Sequence, residues 1–187
     1  MSATRVADLP PTEGEIAVVG RSNVGKSSLI NALANRKALA KVSKTPGRTQ
    51  LLNLFEFSNG TTLMDLPGYG YAKVPGHVRA TWGPMIEGYL LGREHLNTVL
   101  VLVDAEVGPT PIDVNTLEWM AANQLPMKVV ATKHDKVKAS KRDKRRKELA
   151  ERCGMSTKDI LWVSASSGVN IAELRGRMLE WVRPTPV

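Results

Sequence analysis

Gly20-Arg21-Ser22-Asn23-Val24-Gly25-Lys26-Ser27 follows the apolar run Ile16-Ala17-Val18-Val19 and precedes Leu29, Ile30 and Leu33, which recur at helical spacing. The stretch matches G-x-x-x-x-G-K-[ST] in full, in the order strand, glycine loop, helix. Two glycines let the backbone curl so that successive N–H groups point inward as a nest for an anion. The helix starting near Lys26 turns its positive end to the same place. Lys26 adds a cation for β- and γ-phosphates, and the Ser27 hydroxyl suits a place on Mg²⁺. A nucleotide-phosphate site is predicted, with Lys26 serving catalysis as well as binding.

Outward from this loop, short β-branched runs alternate with longer helical stretches, as in a largely parallel sheet covered by helices. The strand Ile16 to Val19 is apolar throughout, as burial on both faces requires. Leu51 to Ser58 and Thr61 to Met64 flank Asn59-Gly60, a pair suited to a type I′ turn, which puts one antiparallel strand in the sheet. Val99 to Val103, Met127 to Ala131 and Ile160 to Val163 read as further strands. Val78, Trp82, Met85, Ile86 and Tyr89 share a helical spacing. Thr110-Pro111-Ile112-Asp113 offers an N-cap, a proline at the first helical position and an acid in the first turn of a helix to about Asn123. Ser140 to Asp143 reads as another cap, for a basic helix that Gly154 closes. Asn170, with Glu173 three residues on, opens the last helix through Leu174, Met178 and Trp181. The expectation is a three-layer α/β G domain of the P-loop NTPase type over residues 14–183, with six strands and five helices. Residues 1–13 form a short arm and 184–187 a tail.

A chain of 187 residues, 42% hydrophobic and 24% charged, suffices for one buried core without metals or disulfides. Cys153 stands alone, so no intrachain disulfide forms, and its place near a helix end reads as a small buried residue. No segment approaches the ~20 apolar residues that span a bilayer. Met1 to Pro11 lacks a signal-peptide core, Asp8 and Glu13 argue against a transit peptide, and Arg183-Pro184-Thr185-Pro186-Val187 carries no prenylation motif. The reading is soluble and intracellular, with no membrane partner. His77, His95 and His134 are scattered without metal-ligand spacing, and the four tryptophans read as core or helix-face residues.

The net charge of +8 is unevenly placed. Residues 136–152 carry nine basic side chains against Asp143, Glu148 and Glu151, and residues 36–48 carry Arg36, Lys37, Lys41, Lys44 and Arg48 with no acid. The remaining chain is mildly acidic. Lys141 with Arg145, and Arg142 with Arg146, repeat at i, i+4, an arrangement costing a few tenths of a kcal/mol each. Phosphate binding, and so contact with RNA, would offset that cost; a solvated basic face is the alternative.

Further segments choose the base. Asp65-Leu66-Pro67-Gly68 ends the hairpin strand, where an aspartate holds Mg²⁺ directly or through water and Gly68 lets a backbone N–H approach the γ-phosphate. Thr132-Lys133-His134-Asp135 follows a strand at the carboxyl edge of the sheet, where ligands of open α/β sheets bind. The Asp135 carboxylate can accept from both N1–H and the 2-amino group of guanine; adenine has neither and would leave it unpaired. The Lys133 stem can lie along the base. Ser164-Ala165-Ser166 supplies a backbone N–H for guanine O6. Thr49, in the basic loop ahead of the hairpin, can reach Mg²⁺ when a γ-phosphate is present, as switch loops do.

The G1 loop, Ser43-Lys44-Thr45-Pro46-Gly47-Arg48-Thr49-Gln50 and Asp65-Leu66-Pro67-Gly68-Tyr69-Gly70-Tyr71-Ala72 together resemble the EngB (YihA/YsxC) family of ribosome-biogenesis GTP-binding proteins, in the TrmE-Era-like P-loop GTPase class. The resemblance runs from about Gly14 to Trp181. It implies guanine-nucleotide contacts at Gly20, Arg21, Ser22, Asn23, Val24, Gly25, Lys26 and Ser27, then at Gly47, Arg48, Thr49, Gln50 and Leu51, and at Asp65, Leu66, Pro67 and Gly68. It implies further contacts at Thr132, Lys133, His134, Asp135, Val163, Ser164 and Ala165, with Ser27 and Thr49 as Mg²⁺ ligands. It also implies a bacterial cytoplasmic protein that helps mature the large ribosomal subunit and is linked to cell division and septation. A monomer without DNA specificity is expected.

Tyr69 stands where Ras-like proteins place a water-orienting glutamine, so slow intrinsic hydrolysis is expected, with Lys26, Thr49 and Gly68 as the catalytic set. Asn23 matches the position at which related proteins hold K⁺ and joins that set if it does so; otherwise it only caps the loop. Two other readings remain open: a P-loop phosphotransferase with the basic helix as lid, and a nucleotide-dependent binding module without turnover.

Overall fold

The structure is a computed structural model that describes residues 1–3, 5–36, 39–40, 52–57, 60–69 and 76–182, for 76–82 the backbone alone. Seven strands are present among them: β1 (Ser2–Ala3), β2 (Glu15–Gly20), β3 (Leu52–Glu56), β4 (Thr62–Asp65), β5 (Leu96–Asp104), β6 (Met127–Thr132) and β7 (Ile160–Trp162). Five α-helices accompany them: α1 (Lys26–Leu33), α2 (Gly76–Gly92), α3 (Pro111–Ala122), α4 (Arg142–Arg152) and α5 (Ile171–Trp181). They form one sheet in the order β1-β3-β4-β2-β5-β6-β7. Among these strands only β3 runs opposite to the rest, pairing antiparallel with both β1 and β4.

The central strand shows how sequence becomes layers. Side chains alternate across a strand, and in β2 Ala17 and Val19 enter one core while Ile16 and Val18 enter the other. The first core holds Tyr89 and Leu90 of α2, Leu117 and Met120 of α3, and Leu149 and Ala150 of α4. The second holds Leu29, Ile30 and Leu33 of α1 with Leu174 and Met178 of α5. Three helices therefore cover one face and two the other, which is the predicted three-layer arrangement. Its parallel central strands bring the loops after β2, β5, β6 and β7 to one edge.

The seventh strand was not legible. Ser2 and Ala3 pair with Asn53 and Leu52, and two residues carry no period to read. The hairpin turn closes one residue earlier than expected: Phe57 N–H donates to Thr61 O and Gly60 N–H to Phe57 O, with Gly60 at φ +79°. Asn59 lies outside the described residues. The Thr110 cap is present, the Asp113 carboxylate accepting from both the N–H and the hydroxyl of Thr110. The Ser140 cap is corrected, and Asn170 opens α5 as expected but without a side-chain cap bond. Ser140 sits inside a 3₁₀ turn, Ala139–Lys141, and Lys141 precedes α4 without a side-chain cap. Asn170 occupies the N-cap of α5 at φ +55° but gives its amide to Trp162 O, 2.8 Å away. Gly154 does end α4 at φ +64°, and Met155 N–H closes the turn on Ala150 O.

A buried ionic cluster fastens the base of the sheet. Glu15, fully buried, accepts from Tyr89 Oη at 2.6 Å, Arg93 Nε at 2.9 Å and Thr62 Oγ1 at 2.8 Å. Arg93 also donates to Pro10 O. The cluster binds β2, β4, α2 and the arm to one another. Burial beside Glu15 pushes the Tyr89 hydroxyl pKa far up, so it stays a donor.

Candidate nucleotide site

Between β2 and α1 the loop 20–27 takes a shape that fixes its glycines. Gly25 sits at φ +99° as the residue before α1, a conformation that L side chains rarely adopt. A methyl group at Gly20 would meet Leu102 Cβ and Val24 Cγ1, each at 2.9 Å. Asn23, exposed, has φ +64° and makes no side-chain hydrogen bond among the described residues. Left-handed backbone suits asparagine, which accounts for the residue type without a loop-capping bond. Val24 is buried and anchors the loop in the α1 core. Lys26 and Ser27 open the helix half-exposed.

The segment after β4 lies directly on this loop. Leu66 N–H donates to Val18 O, Tyr69 N–H to Gly20 O, and Ser22 N–H to Tyr69 O, while Arg21 bridges Tyr69 in parallel. A side chain at Gly68 would press within 3.2 Å of Gly20 O, so any other residue in D-x-x-G would have to push two closely approaching backbones apart. Asp65, buried at the end of β4, is ion-paired with Lys26. Burial raises the Asp65 carboxyl pKa and the Lys26 charge works against that rise. Leu66 and Pro67 are buried.

Tyr69 is engaged with α3. Its hydroxyl donates to Asp113 Oδ1 at 2.9 Å, on α3. Burial first, then the Asp113 charge, drives its pKa well above the ordinary value, so it remains protonated. Asp113 thus serves α3 with one oxygen and Tyr69 with the other.

At the end of β6 the predicted base segment is brought against the same loop. The Thr132 hydroxyl donates to Val24 O at 2.6 Å. Lys133 adopts left-handed backbone at φ +57° and its Nζ reaches Asp104 Oδ2 at 2.6 Å. Asp104 is buried, and its other oxygen accepts from Glu106 and Val107 N–H. His134 N–H donates to Val163 O, and its ring meets Trp162 edge-on. Desolvation, then Arg142 and Arg146, lower the His134 pKa. Asp135 Oδ1 accepts from Ser164 Oγ at 2.6 Å. That bond, more than any other cause, holds its carboxyl below the usual range. Ser164, fully buried, also accepts from Ser167 N–H, and Ala165 follows half-exposed.

The residues of the first loop, Asp65–Tyr69, Thr132–Asp135 and Val163–Ala165 thus gather at one edge of the sheet. Gly47, Arg48, Thr49, Gln50 and Leu51 lie outside the described residues. Asp104, Asp113 and the Ser164 hydroxyl were missed as supporting groups. An aspartate ending an apolar strand was the available signal for Asp104; nothing local marked the others.

The chain matches the family model "50S ribosome-binding GTPase" over residues 15–133. It is 56% identical over 138 residues to a probable GTP-binding protein EngB of Desulforamulus reducens, covering 73% of this chain and 67% of that protein. With the EngB of Geobacter sulfurreducens it shares 45% identity over 183 residues, 97% of this chain and 86% of that one. Among solved structures, a probable GTP-binding protein EngB superposes with a TM-score of 0.74 at 26% identity, covering 91% of this chain and 99% of that one. Era in complex with MgGDPNP and a 16S rRNA fragment gives a TM-score of 0.73 at 25% identity, over 93% of this chain and 58% of that one. A glycine loop between β2 and α1, the Asp65 and Thr132–Asp135 segments gathered beside it and these likenesses agree: the chain belongs to the EngB family of P-loop GTP-binding proteins, which are GTPases.

Proposed function

We propose that this protein is a Mg²⁺-dependent GTP switch acting in the cytoplasm on assembly of the large ribosomal subunit, with a consequent part in cell division. The observation that carries the guanine half is Asp135, whose carboxylate accepts from Ser164 Oγ at 2.6 Å, a bond that lowers its pKa, at the same edge of the sheet as the phosphate loop. Its two acceptor oxygens suit N1–H and the 2-amino group together. The loop Gly20–Ser27 and the start of α1 cradle the phosphates, Lys26 pairs with them, and Lys133 lies along the base. The ribosomal half rests on the family description, on membership of EngB, and on Era, a structural relative crystallised with rRNA.

Ser27 and Asp65, with Thr49, offer the hard oxygen ligands that Mg²⁺ takes. When bound, Mg²⁺ neutralises charge on the β- and γ-phosphate oxygens. Gly68 N–H is the donor whose approach reports the γ-phosphate. Since the Tyr69 hydroxyl points at Asp113, no side chain at that position orients water, and hydrolysis is slow until a partner on the ribosome contributes. The exposed Asn23 is the candidate K⁺ ligand; equal hydrolysis rates in K⁺ and Na⁺ buffers would exclude it. A phosphotransferase with α4 as a hinged lid is disfavoured, because Leu149, Ala150 and Cys153 bury α4 in the core.

Calorimetry with GDP, ADP and ATP, repeated on Asp135→Asn with xanthosine diphosphate, tests the base site. GDP alone should bind the natural chain, and xanthosine diphosphate should replace it in the variant; adenosine nucleotides competing on equal terms would overturn the reading. Co-sedimentation with large subunits under a non-hydrolysable GTP analogue against GDP tests the ribosomal half, which equal association in both states would refute.

A further inference from the structure

We infer that Arg145 and Arg152 of α4, converging on Gly108 in the β5–α3 loop, form a clamp for a backbone phosphate of RNA. The inference deepens the ribosomal reading by naming the face that meets RNA. A methyl group on Gly108 would lie 3.2 Å from Arg145 Nη1 and 4.0 Å from Arg152 Nη1. The two guanidinium groups, two helical turns apart in sequence, therefore end within ~7 Å of each other, where like charges repel. Among the described residues, little relieves that repulsion. Among the described residues Arg145 pairs only with Glu148, at 3.5 Å, which Lys144 shares at 3.8 Å. Arg152 has no ion pair among the described residues.

The other arginines of α4 are accounted for by the fold. Arg142 Nε donates to Val137 O at 3.1 Å, and Arg146 lies over the Trp162 ring. Arg145 and Arg152 serve no such purpose. Paired planar guanidinium groups match phosphate oxygens in a fork geometry. Beside them, Val107 and Ile112 are 55% and 40% exposed, apolar surface suited to a ribose or base edge. The platform is rigid: Gly108 takes φ +85° and donates to Asp104 O at 2.8 Å.

RNA fits this face better than a membrane does. The apolar residues of α4, Leu149, Ala150 and Cys153, are buried in the core, so α4 has no face to insert into lipid. The surplus of six positive charges over residues 136–152 favours a polyanion. The face also adjoins the nucleotide site, because Asp104 holds both this loop and Lys133.

The test compares the full chain with R145Q/R152Q, using rRNA extracted from large subunits and a salt titration from about 50 to 200 mM. The variant should lose about tenfold or more in RNA affinity, and its log–log salt slope should fall by about one, as expected for one phosphate. Its GDP affinity and melting temperature should stay unchanged. R177Q, an exposed change on α5, should bind RNA like the natural chain. An unchanged slope in R145Q/R152Q overturns the clamp. So does equal competition by phosphatidylglycerol vesicles, or loss of subunit binding while rRNA binding persists, which would make the partner a lipid or a protein. Nucleotide-dependent subunit binding indifferent to R145Q/R152Q defeats the clamp alone. Clamp-dependent rRNA binding without any subunit binding defeats the ribosomal reading alone.

Discussion

The Thr132 hydroxyl donates to the Val24 carbonyl at 2.6 Å, tying the strand that ends in the base segment to the loop that holds phosphates. Val24 is buried, so no solvent replaces a lost donor. The two halves of the nucleotide site are thereby held at a fixed separation, which a ligand spanning both requires.

Replacing Thr132 by valine keeps the volume and leaves the Val24 carbonyl unpaired. The cost should be about 1–3 kcal/mol in urea unfolding, with GDP affinity falling along with it. Thr132→Ser should restore both. If Thr132→Val binds and unfolds like the natural chain, the bond is incidental.

Ser164→Ala removes the principal cause of the depressed Asp135 pKa, which should then return towards 3.8. An acid whose folded pKa lies below its unfolded value adds stability above the unfolded pKa and loses it as pH falls through the folded one. GDP recognition needs the ionised form, so the acid limb of binding should move to higher pH in Ser164→Ala. Fluorescence titration of labelled GDP from pH 3 to 7 measures it, and a stationary limb refutes the assignment.

Tyr69→Phe breaks the bond to Asp113 but leaves Asp113 capping Thr110. Loss of about 1 kcal/mol in chemical denaturation is expected. Intrinsic GTP hydrolysis should stay within about twofold of the natural rate, since ~1.4 kcal/mol of barrier is tenfold and the hydroxyl faces α3. A large drop in turnover would mean that the phenol reaches the reacting phosphate.

Glu15→Gln removes the charge that faces Arg93 at 2.9 Å. Breaking a buried pair by changing one partner costs about 3–5 kcal/mol, to be read from the unfolding midpoint. Because the cluster lies at the opposite ends of β2 and β4 from the phosphate loop, GDP affinity of the folded fraction should be unaltered.

What the sequence determined by itself was local. Gly20 to Ser27 dictates strand, turn and helix because the backbone angles and the anion nest are properties of eight consecutive residues. The Thr110 cap works because Asp113 lies one turn on, and the apolar faces of α1 and α5 follow from spacing. The D-x-x-G and T-K-x-D segments were legible because each ends a strand whose direction the alternation of elements had set. Tertiary structure decided the rest. Ser140 offered a cap that the folded chain did not use, Asn170 holds the N-cap position of α5 but gives its amide to Trp162 O, and Ser2–Ala3 became a strand because Leu52 and Asn53 were there to pair with. Thr132 meets Val24 across 108 residues, and Glu15 meets Tyr89 and Arg93 across 74 and 78. Short-range patterns are enforced by dihedral angles and periodicity, whereas a buried polar group takes whichever partner the packed layers deliver, and no local pattern names that partner.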